Sequence, residues 1–259
     1  MLKFLRILIG AIFVVPLLVV TYVLYPVVML LKRNGHVKAA EGITWCTLRF
    51  LVHAIMFFFG AKMHIVGEQN IPRTPGKYCY IGNHTSMFDI VALMWPRGMK
   101  LSFVGKVEVS RIPIVRGWFK AIDAVYLDRK SPRQSIKAII DGSRMIEAGV
   151  PMNIFPEGTR SKDGRIHEFK AGSFKMVTRV GGTIIPIVCK GPRTVFEDGH
   201  SLLRRPVYLE FLEPIETAGM GDEELKALPQ RVHDLVQKAY DELPPIKGLV
   251  IREHHESDS

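Results

Sequence analysis

The chain has 259 residues, a formal net charge of +10 and three cysteines. That length is sufficient for one α/β domain with a sizeable core and an N-terminal appendage. The sequence contains no nucleic-acid-binding motif, and its apolar N-terminus argues against nucleic acid as the partner of a basic surface.

The basic excess lies in the first half of the chain. Residues 1–130 carry 17 basic and 6 acidic side chains, whereas residues 131–259 carry 18 and 19. Anionic lipid head groups or an acidic substrate would suit this distribution, and a basic surface without a partner is the alternative.

The cysteines Cys46, Cys79 and Cys189 are far apart and have apolar neighbours. This pattern predicts reduced core residues rather than disulfides or metal ligands. Reduced thiols suit a domain on the cytosolic side of a membrane.

The first predicted element is an apolar N-terminal helix. Residues 7–31 form an uncharged run of 25 residues with basic residues on both sides, which is long enough to cross a bilayer. Pro16 and Pro26 are expected to kink this helix because each removes a backbone donor.

A second apolar run covers about residues 43–60 and is interrupted by Arg49 and His53. A cation at mid-bilayer is costly, so this run favours a helix partly in the interface, or a helix packed on the domain. We expect residues 1–60 to form a two-helix hairpin that enters one leaflet, with both ends on the cytoplasmic face.

After Gly60, stretches typical of strands and helices alternate. Strands are predicted over residues 77–81, 99–104, 124–127, 151–155, 183–188 and 207–212. Helices are predicted over residues 87–94, 132–148, 174–180 and 222–243. The apolar face of the helix over residues 132–148 is expected to contain Ile136, Ile139, Ile140 and Ile146. This alternation predicts an α/β domain over residues 61–250, with a mainly parallel central sheet flanked by helices, and a polar tail over residues 251–259.

The first chemical motif is Asn-His-Thr-Ser-Met-Phe-Asp at residues 83–89, which follows a predicted strand. A histidine can take a proton from an alcohol near neutral pH, and a carboxylate on its other nitrogen stabilises the imidazolium. On a regular helix, His84 and Asp89 would lie about 140° apart, so they can meet only in a turn that enters a helix. The alternative is a structural histidine and an aspartate at a helix N-terminus.

The second motif is Phe-Pro-Glu-Gly-Thr-Arg-Ser at residues 155–161, which also follows a predicted strand. Its proline and glycine allow a tight turn, and Arg160 can bind a phosphate through two hydrogen bonds. Glu157 would be an unusual neighbour for an anion unless it orients Arg160 or a substrate hydroxyl. An ordinary surface turn is the alternative.

Two further cations follow predicted strands and could reach the same anion. Lys106 lies in Gly-Lys-Val-Glu at residues 105–108, and Arg129 follows Asp128. Each could equally be a solvated or paired surface residue.

Nucleophilic catalysis is disfavoured. Ser86 lies two residues after His84 but has no Gly-x-Ser-x-Gly elbow around it, and Cys79 is predicted to be buried in a strand.

With these motifs the sequence resembles the glycerophospholipid acyltransferase family, and most closely its 1-acylglycerol-3-phosphate acyltransferases of bacterial size. Four blocks match in order: residues 83–89, residues 105–108 with Pro113, residues 155–161, and Ile-Pro-Ile-Val at residues 185–188. The blocks span about residues 80–190, and the N-terminal hairpin is also typical of that family.

The resemblance implies that His84, held by Asp89, deprotonates the sn-2 hydroxyl of lysophosphatidic acid. The oxygen would then attack the thioester of acyl-CoA or acyl-carrier protein directly, with no acyl-enzyme, cofactor or metal. The resemblance further implies a substrate-binding set that holds the glycerol phosphate: Lys106, Arg129, Glu157, Gly158, Thr159 and Arg160. The implied location is the inner membrane of a cell, or another membrane, with the catalytic domain on the cytoplasmic face.

Two alternatives stay open. An acyltransferase could use glycerol 3-phosphate or another lysophospholipid as the acceptor. A membrane-bound lipid-binding protein could retain the fold without catalysis, although such a role would not require both His84 and Asp89.

Overall fold

The computed structural model describes residues 2–128, 131–198 and 203–249, and its strands form one sheet. The strands are β1 (Ala61–Val66), β2 (Tyr78–Gly82), β3 (Ser102–Lys106), β4 (Val125–Leu127), β5 (Met152–Ile154), β6 (Thr183–Lys190), β7 (Arg205–Phe211) and β8 (Ile215–Glu216). The helices are α1 (Leu2–Tyr22), α2 (Leu24–Arg33), α3 (Val37–Phe58), α4 (Phe88–Leu93), α5 (Pro113–Ala121), α6 (Pro132–Glu147), α7 (Ala171–Thr178), α8 (Pro192–Val195) and α9 (Asp222–Glu242). The predicted polar tail, residues 251–259, lies outside the described residues.

The sheet has the strand order β1-β7-β6-β2-β5-β3-β4, and β8 pairs with β6. Strands β2 to β6 are mutually parallel, whereas β7 and β8 run antiparallel to β6, and β1 is parallel to β7. The predicted α/β fold with a mainly parallel sheet is therefore confirmed. The ends of β2 to β6 share one edge of the sheet, here called the carboxyl edge, and their beginnings share the opposite, amino edge.

Every strand and helix expected after Gly60 is present, with ends displaced by a few residues. The sequence patterns did not predict β1, β8, α5 or α8. Strand β1 is a half-buried edge strand, and the other three elements have at most nine residues, so their periodicity is weak.

Two expected core residues are exposed. Cys46 faces outward from α3, although Cys79 and Cys189 are buried as predicted. Ile136 was expected on the apolar face of α6 but is 63% exposed. It lies two residues, and thus about 200° around the helix, from the buried Ala138.

The N-terminal helices α1 and α2 include one apolar stretch, Phe4–Arg33, which is long and apolar enough to cross a membrane. Only 11% of its most apolar window is buried. Helix α3 packs on α1, α2, α4 and α5, and it buries Leu51 and Met56 while Phe50 and Phe57 remain exposed. The packing of α3 on the domain matches the packed-helix alternative for the second apolar run.

The stretch formed by α1 and α2 crosses the whole width of the sheet. At the carboxyl edge, the Arg6 guanidinium donates to the carbonyl oxygens of Leu203 (3.0 Å) and Gly60 (3.4 Å). At the amino edge, Lys32 Nζ lies 2.9 Å from an oxygen of Asp123, the second residue before β4. The helices are thus fixed to the domain at both ends.

Between these ends, α1 approaches α5 closely at Gly117. A Cβ atom at residue 117 would lie 2.5 Å from the ring of Tyr22, whose hydroxyl donates to the Pro113 carbonyl oxygen at 3.2 Å. Only glycine leaves room for this contact. By contrast, a Cβ at Gly42 in α3 would meet nothing within 4 Å.

We predict opposite stability effects for two Gly→Ala substitutions. Gly42→Ala should raise the free energy of unfolding by up to ~1 kcal/mol, because alanine is the better helix former. Gly117→Ala should lower it by about 1 kcal/mol or more, because the overpacking at Tyr22 outweighs that gain. Thermal unfolding in detergent micelles would measure both, and a stabilising Gly117→Ala would refute the close contact.

Candidate active site

The residues His84 and Asp89 meet at the carboxyl edge, directly after β2. Nδ1 of His84 lies 2.9 Å from Oδ2 of Asp89. Because a carboxylate can only accept here, we assign the proton to Nδ1, which leaves the lone pair of Nε2 free in the neutral imidazole. The pair therefore has the geometry of a general base held in one tautomer.

His84 and Asp89 meet despite their five-residue spacing because the residues between His84 and α4 wrap around the carboxylate of Asp89, which lies in the first turn of α4. Oδ2 of Asp89 also accepts hydrogen bonds from the backbone N–H groups of Thr85 (2.7 Å) and Ser86 (2.8 Å). Three donors on one oxygen stabilise a carboxylate that is fully buried. The turn predicted from the spacing is thus present, and it fixes the carboxylate as well as the ring.

The second motif holds the main chain of His84 from both sides. The N–H of His84 donates to Oε1 of Glu157 at 2.6 Å, and its carbonyl oxygen accepts from the N–H of Ser161 at 2.8 Å. The other oxygen of Glu157 accepts from the N–H of His167 at 3.2 Å. Both carboxylate oxygens of Glu157 therefore bind backbone, and the side chain is 5% exposed.

The strands β2 and β6 are joined beyond their regular ladder by Asn83. Its side-chain amide donates to the Cys189 carbonyl oxygen at 2.8 Å and accepts from the Cys189 N–H at 2.9 Å. This paired contact, in a fully buried place, anchors the residue directly before His84.

The imidazole of His84 stacks on the ring of Phe155, the residue after β5, with centroids 4.0 Å apart and planes inclined by 7°. The side chain of His84 retains 12% exposure. The ring is therefore fixed by Asp89 on one edge and by Phe155 on one face.

The guanidinium of Arg160 is 46% exposed and is joined to the first motif through Glu197. Nη1 of Arg160 lies 3.4 Å from Oε1 of Glu197, which also accepts the Met87 N–H at 2.9 Å. The Ser86 hydroxyl donates to the other oxygen of Glu197 at 2.6 Å. Ser86 is fully buried, and its hydroxyl is occupied by this contact.

Sequence reasoning missed Glu197 and the buried Arg193, which both follow β6. Arg193 donates to the Ser161 carbonyl oxygen at 2.8 Å and forms an ion pair with Asp198. The only available signal was topological: β6 lies beside β2, so the residues after these two strands must come together.

The Pro-Glu-Gly turn has the predicted tight form. The Gly158 N–H donates to the Phe155 carbonyl oxygen at 3.1 Å, and Gly158 has φ of +77°, which favours glycine. Thr159 is exposed beside it, and Nζ of Lys170 would lie 3.0 Å from a Cβ at residue 158. Two cationic side chains, those of Arg160 and Lys170, thus border an exposed turn.

Lys106 ends β3 on the same edge but not beside His84. Strand β5 lies between β2 and β3, so the two strand ends are roughly 10 Å apart. Lys106 is half exposed and lies 3.1 Å from Glu108. Arg129 lies outside the described residues, and its predicted role stays a prediction.

The buried carboxyl of Glu157 has an altered acidity. Burial raises its pKa to about 7, although the N–H groups of His84 and His167 oppose this by stabilising the charged form. Burial also raises the pKa of the Cys79 thiol in β2, which disfavours a nucleophilic thiolate there.

Glu157 should make the stability of the fold depend on pH. Between its ordinary pKa of 4.5 and about 7, the folded carboxyl keeps a proton that the unfolded chain has lost. Its contribution to stability therefore falls as the pH rises through this range. Relative to Glu157→Gln, the free energy of unfolding of the native chain should fall by about 3 kcal/mol between these limits.

The measurement is thermal unfolding of both proteins in micelles at several pH values. The substitution keeps an acceptor for the His84 N–H but removes the titrating proton. At each pH value the variant is therefore the reference for the native chain. A difference in unfolding free energy between the two proteins that does not change with pH would contradict the raised pKa of Glu157.

Comparisons with known proteins place these residues in a family. The family model described as Acyltransferase matches residues 62–190, which include both motifs, Lys106 and all of β6. A chloroplastic 1-acyl-sn-glycerol-3-phosphate acyltransferase of Arabidopsis thaliana is 33% identical over 53% of this chain and 38% of its own length. The enzyme of that name from Saccharomyces cerevisiae is 27% identical over 73% of this chain and 63% of its own length.

The chain therefore spans less than two thirds of either relative. The crystal structure of the 1-acyl-sn-glycerophosphate acyltransferase PlsC from Thermotoga maritima is similar in fold, with a TM-score of 0.69 and 21% identity. The similarity covers 86% of this chain and 95% of that one. On its matched residues 62–190, the chain belongs to the acyltransferase family.

Proposed function

We propose that the protein transfers an acyl chain from acyl-CoA or acyl-carrier protein to the sn-2 hydroxyl of lysophosphatidic acid, giving phosphatidic acid. The observation that carries the proposal is the 2.9 Å contact between Nδ1 of His84 and Oδ2 of Asp89. The names of the relatives, 1-acyl-sn-glycerol-3-phosphate acyltransferases, support this choice of acceptor.

In this reaction His84 acts as the general base. Nε2 takes the proton of the acceptor hydroxyl while its oxygen attacks the thioester carbonyl carbon, and the carbonyl π electrons move onto oxygen. When the tetrahedral intermediate collapses, the C–S bond breaks and the imidazolium returns its proton to the thiolate. The products are an ester and a free thiol, and His84 is neutral again.

The fixed position of the ring favours this step. Asp89 stabilises the imidazolium that forms, and Phe155 prevents the ring from rotating away from the hydroxyl. Direct transfer without an acyl-enzyme is consistent with the buried Ser86 and Cys79, neither of which presents a nucleophile at the surface.

Arg160 is the cation best placed to bind the acceptor phosphate. Among the described residues, its guanidinium forms a single 3.4 Å ion pair with Glu197, and partly exposed pairs of this kind are weak. A phosphate that accepts two hydrogen bonds from the guanidinium would therefore compete successfully. We assign Lys106, Gly158, Thr159 and, outside the described residues, Arg129 to the same phosphate pocket, and Glu157 to the positioning of His84.

The proposed location is a membrane surface, with the catalytic domain on the cytoplasmic face. Apolar side chains are exposed along α1 and α2, among them Phe4, Ile12, Val20 and Leu30. An apolar band of this kind is not stable in water, and it would bring a lipid acceptor and the site to the same surface.

Purified protein incubated with a labelled acyl donor and competing acceptors tests the proposal. We expect phosphatidic acid from lysophosphatidic acid, with little product from glycerol 3-phosphate or lysophosphatidylcholine, and parallel reactions with acyl-CoA and acyl-carrier protein identify the donor. His84→Ala should abolish transfer while acceptor binding persists. Product from another acceptor would identify that acceptor as the substrate instead of lysophosphatidic acid. If the folded native protein transfers no acyl chain, a lipid-binding role is favoured.

Arg160→Ala should chiefly weaken acceptor binding. Loss of charge-assisted hydrogen bonds to phosphate should raise the KM for lysophosphatidic acid by about 10- to 100-fold, with a much smaller change in kcat. The matched control is Lys162→Ala, which removes an exposed cation two residues away and should change KM less than about twofold. Equal KM values for the two variants would remove Arg160 from the phosphate site.

A further inference from the structure

A cavity lies at the amino edge of the sheet, opposite the carboxyl edge that carries the His84–Asp89 pair. It has a volume of about 410 Å³ and is lined by the beginnings of β2 and β3 and by the residues before β4 and β5. These positions form the amino edge, whereas His84 and Arg160 follow strand ends on the carboxyl edge. The volume is in the range of small-molecule sites.

Three aromatic side chains contribute to the wall of this cavity: Trp45 from α3, and Tyr78 and Tyr80 from β2. Tyr78 and Tyr80 are two residues apart in one strand, so both point to the same face of the sheet. Clustered aromatic faces of this kind attract ammonium groups, because the ring quadrupole is negative above the plane.

Charged groups of both signs line the same cavity in equal number. Arg73 and Lys100 are the cations, and Glu41 and Asp123 are the carboxylates. Lys100 lies 2.6 Å from Glu41, but their side chains are 53% and 40% exposed, so the pair is weak and can rearrange around a ligand. A ligand with one positive and one negative group would meet a complement to each.

The cavity lies where the apolar N-terminal stretch ends. Asp123 is bound to Lys32 at the end of α2, and the exposed apolar residues Val27 and Leu30 precede that lysine on the same helix. An amphiphile could therefore place acyl chains along α2 and its polar group in the cavity.

We propose that this cavity binds the head group of a zwitterionic phospholipid from the bilayer. The phosphate is held by Arg73 and Lys100, and the ammonium by Glu41 and the aromatic wall. The site is separate from the acyl-transfer site and does not depend on the activity proposed for it.

Native mass spectrometry of the full chain in a maltoside detergent tests this proposal. The probe is dihexanoylphosphatidylcholine below its micellar concentration, compared with dihexanoylphosphatidylglycerol and with free phosphocholine. We expect saturable binding of the zwitterionic lipid, at least tenfold tighter than that of the anionic lipid or of phosphocholine.

The variant Glu41→Gln should weaken this binding about tenfold, because it removes the charge that pairs with the ammonium. Glu223→Gln, at an 88% exposed side chain on α9, is the matched control and should bind like the native chain. Trp45→Leu, checked for folding by thermal unfolding, should also weaken binding, and Arg160→Ala should not.

Four outcomes would overturn the proposal. Binding that is lost in Arg160→Ala would place the lipid at the other edge of the sheet. Equal binding of the anionic lipid would show that the zwitterionic head group is not recognised. Equal binding of free phosphocholine would show that the acyl chains are not recognised. Native affinity in both Glu41→Gln and Trp45→Leu would exclude this cavity.

Discussion

The main chain of His84 is held between two contacts from one loop, and the rest of the site depends on this. Glu157 binds its N–H and Ser161 binds its carbonyl oxygen, so a segment after β5 determines the position of a residue after β2. The two motifs are separate in sequence but form one unit in space. Arg193 extends this unit, because it donates to the carbonyl oxygen of Ser161.

Two buried carboxylates in this unit are stabilised in different ways. Asp89 accepts three hydrogen bonds on one oxygen, from the His84 ring and from the N–H groups of Thr85 and Ser86. Glu157 has one backbone donor on each oxygen, and burial raises its pKa to about 7. The first carboxylate positions the imidazole of His84, and the second forms a structural bond between loops.

The sequence was sufficient to predict the parallel sheet and the common edge of His84 and Arg160, because strand periodicity and motif order are local signals. It could not predict Glu197 or Arg193, whose partners come from loops that meet only through the order of β5, β2 and β6. Nor could the motif pattern show that both oxygens of Glu157 bind backbone. The resemblance assigned Glu157 to the phosphate pocket, and its described contacts are to the main chain of His84 and His167.

The N-terminal stretch contributes to the hydrophobic core of the domain. Val14 and Val28 are buried and belong to the same hydrophobic core as Leu48, Phe103 and Trp118. Shortened forms of the chain that begin after this stretch would therefore expose part of the interior of the domain, and their loss of solubility or stability would reflect an opened core. The stretch is therefore a structural part of the domain that carries the candidate active site.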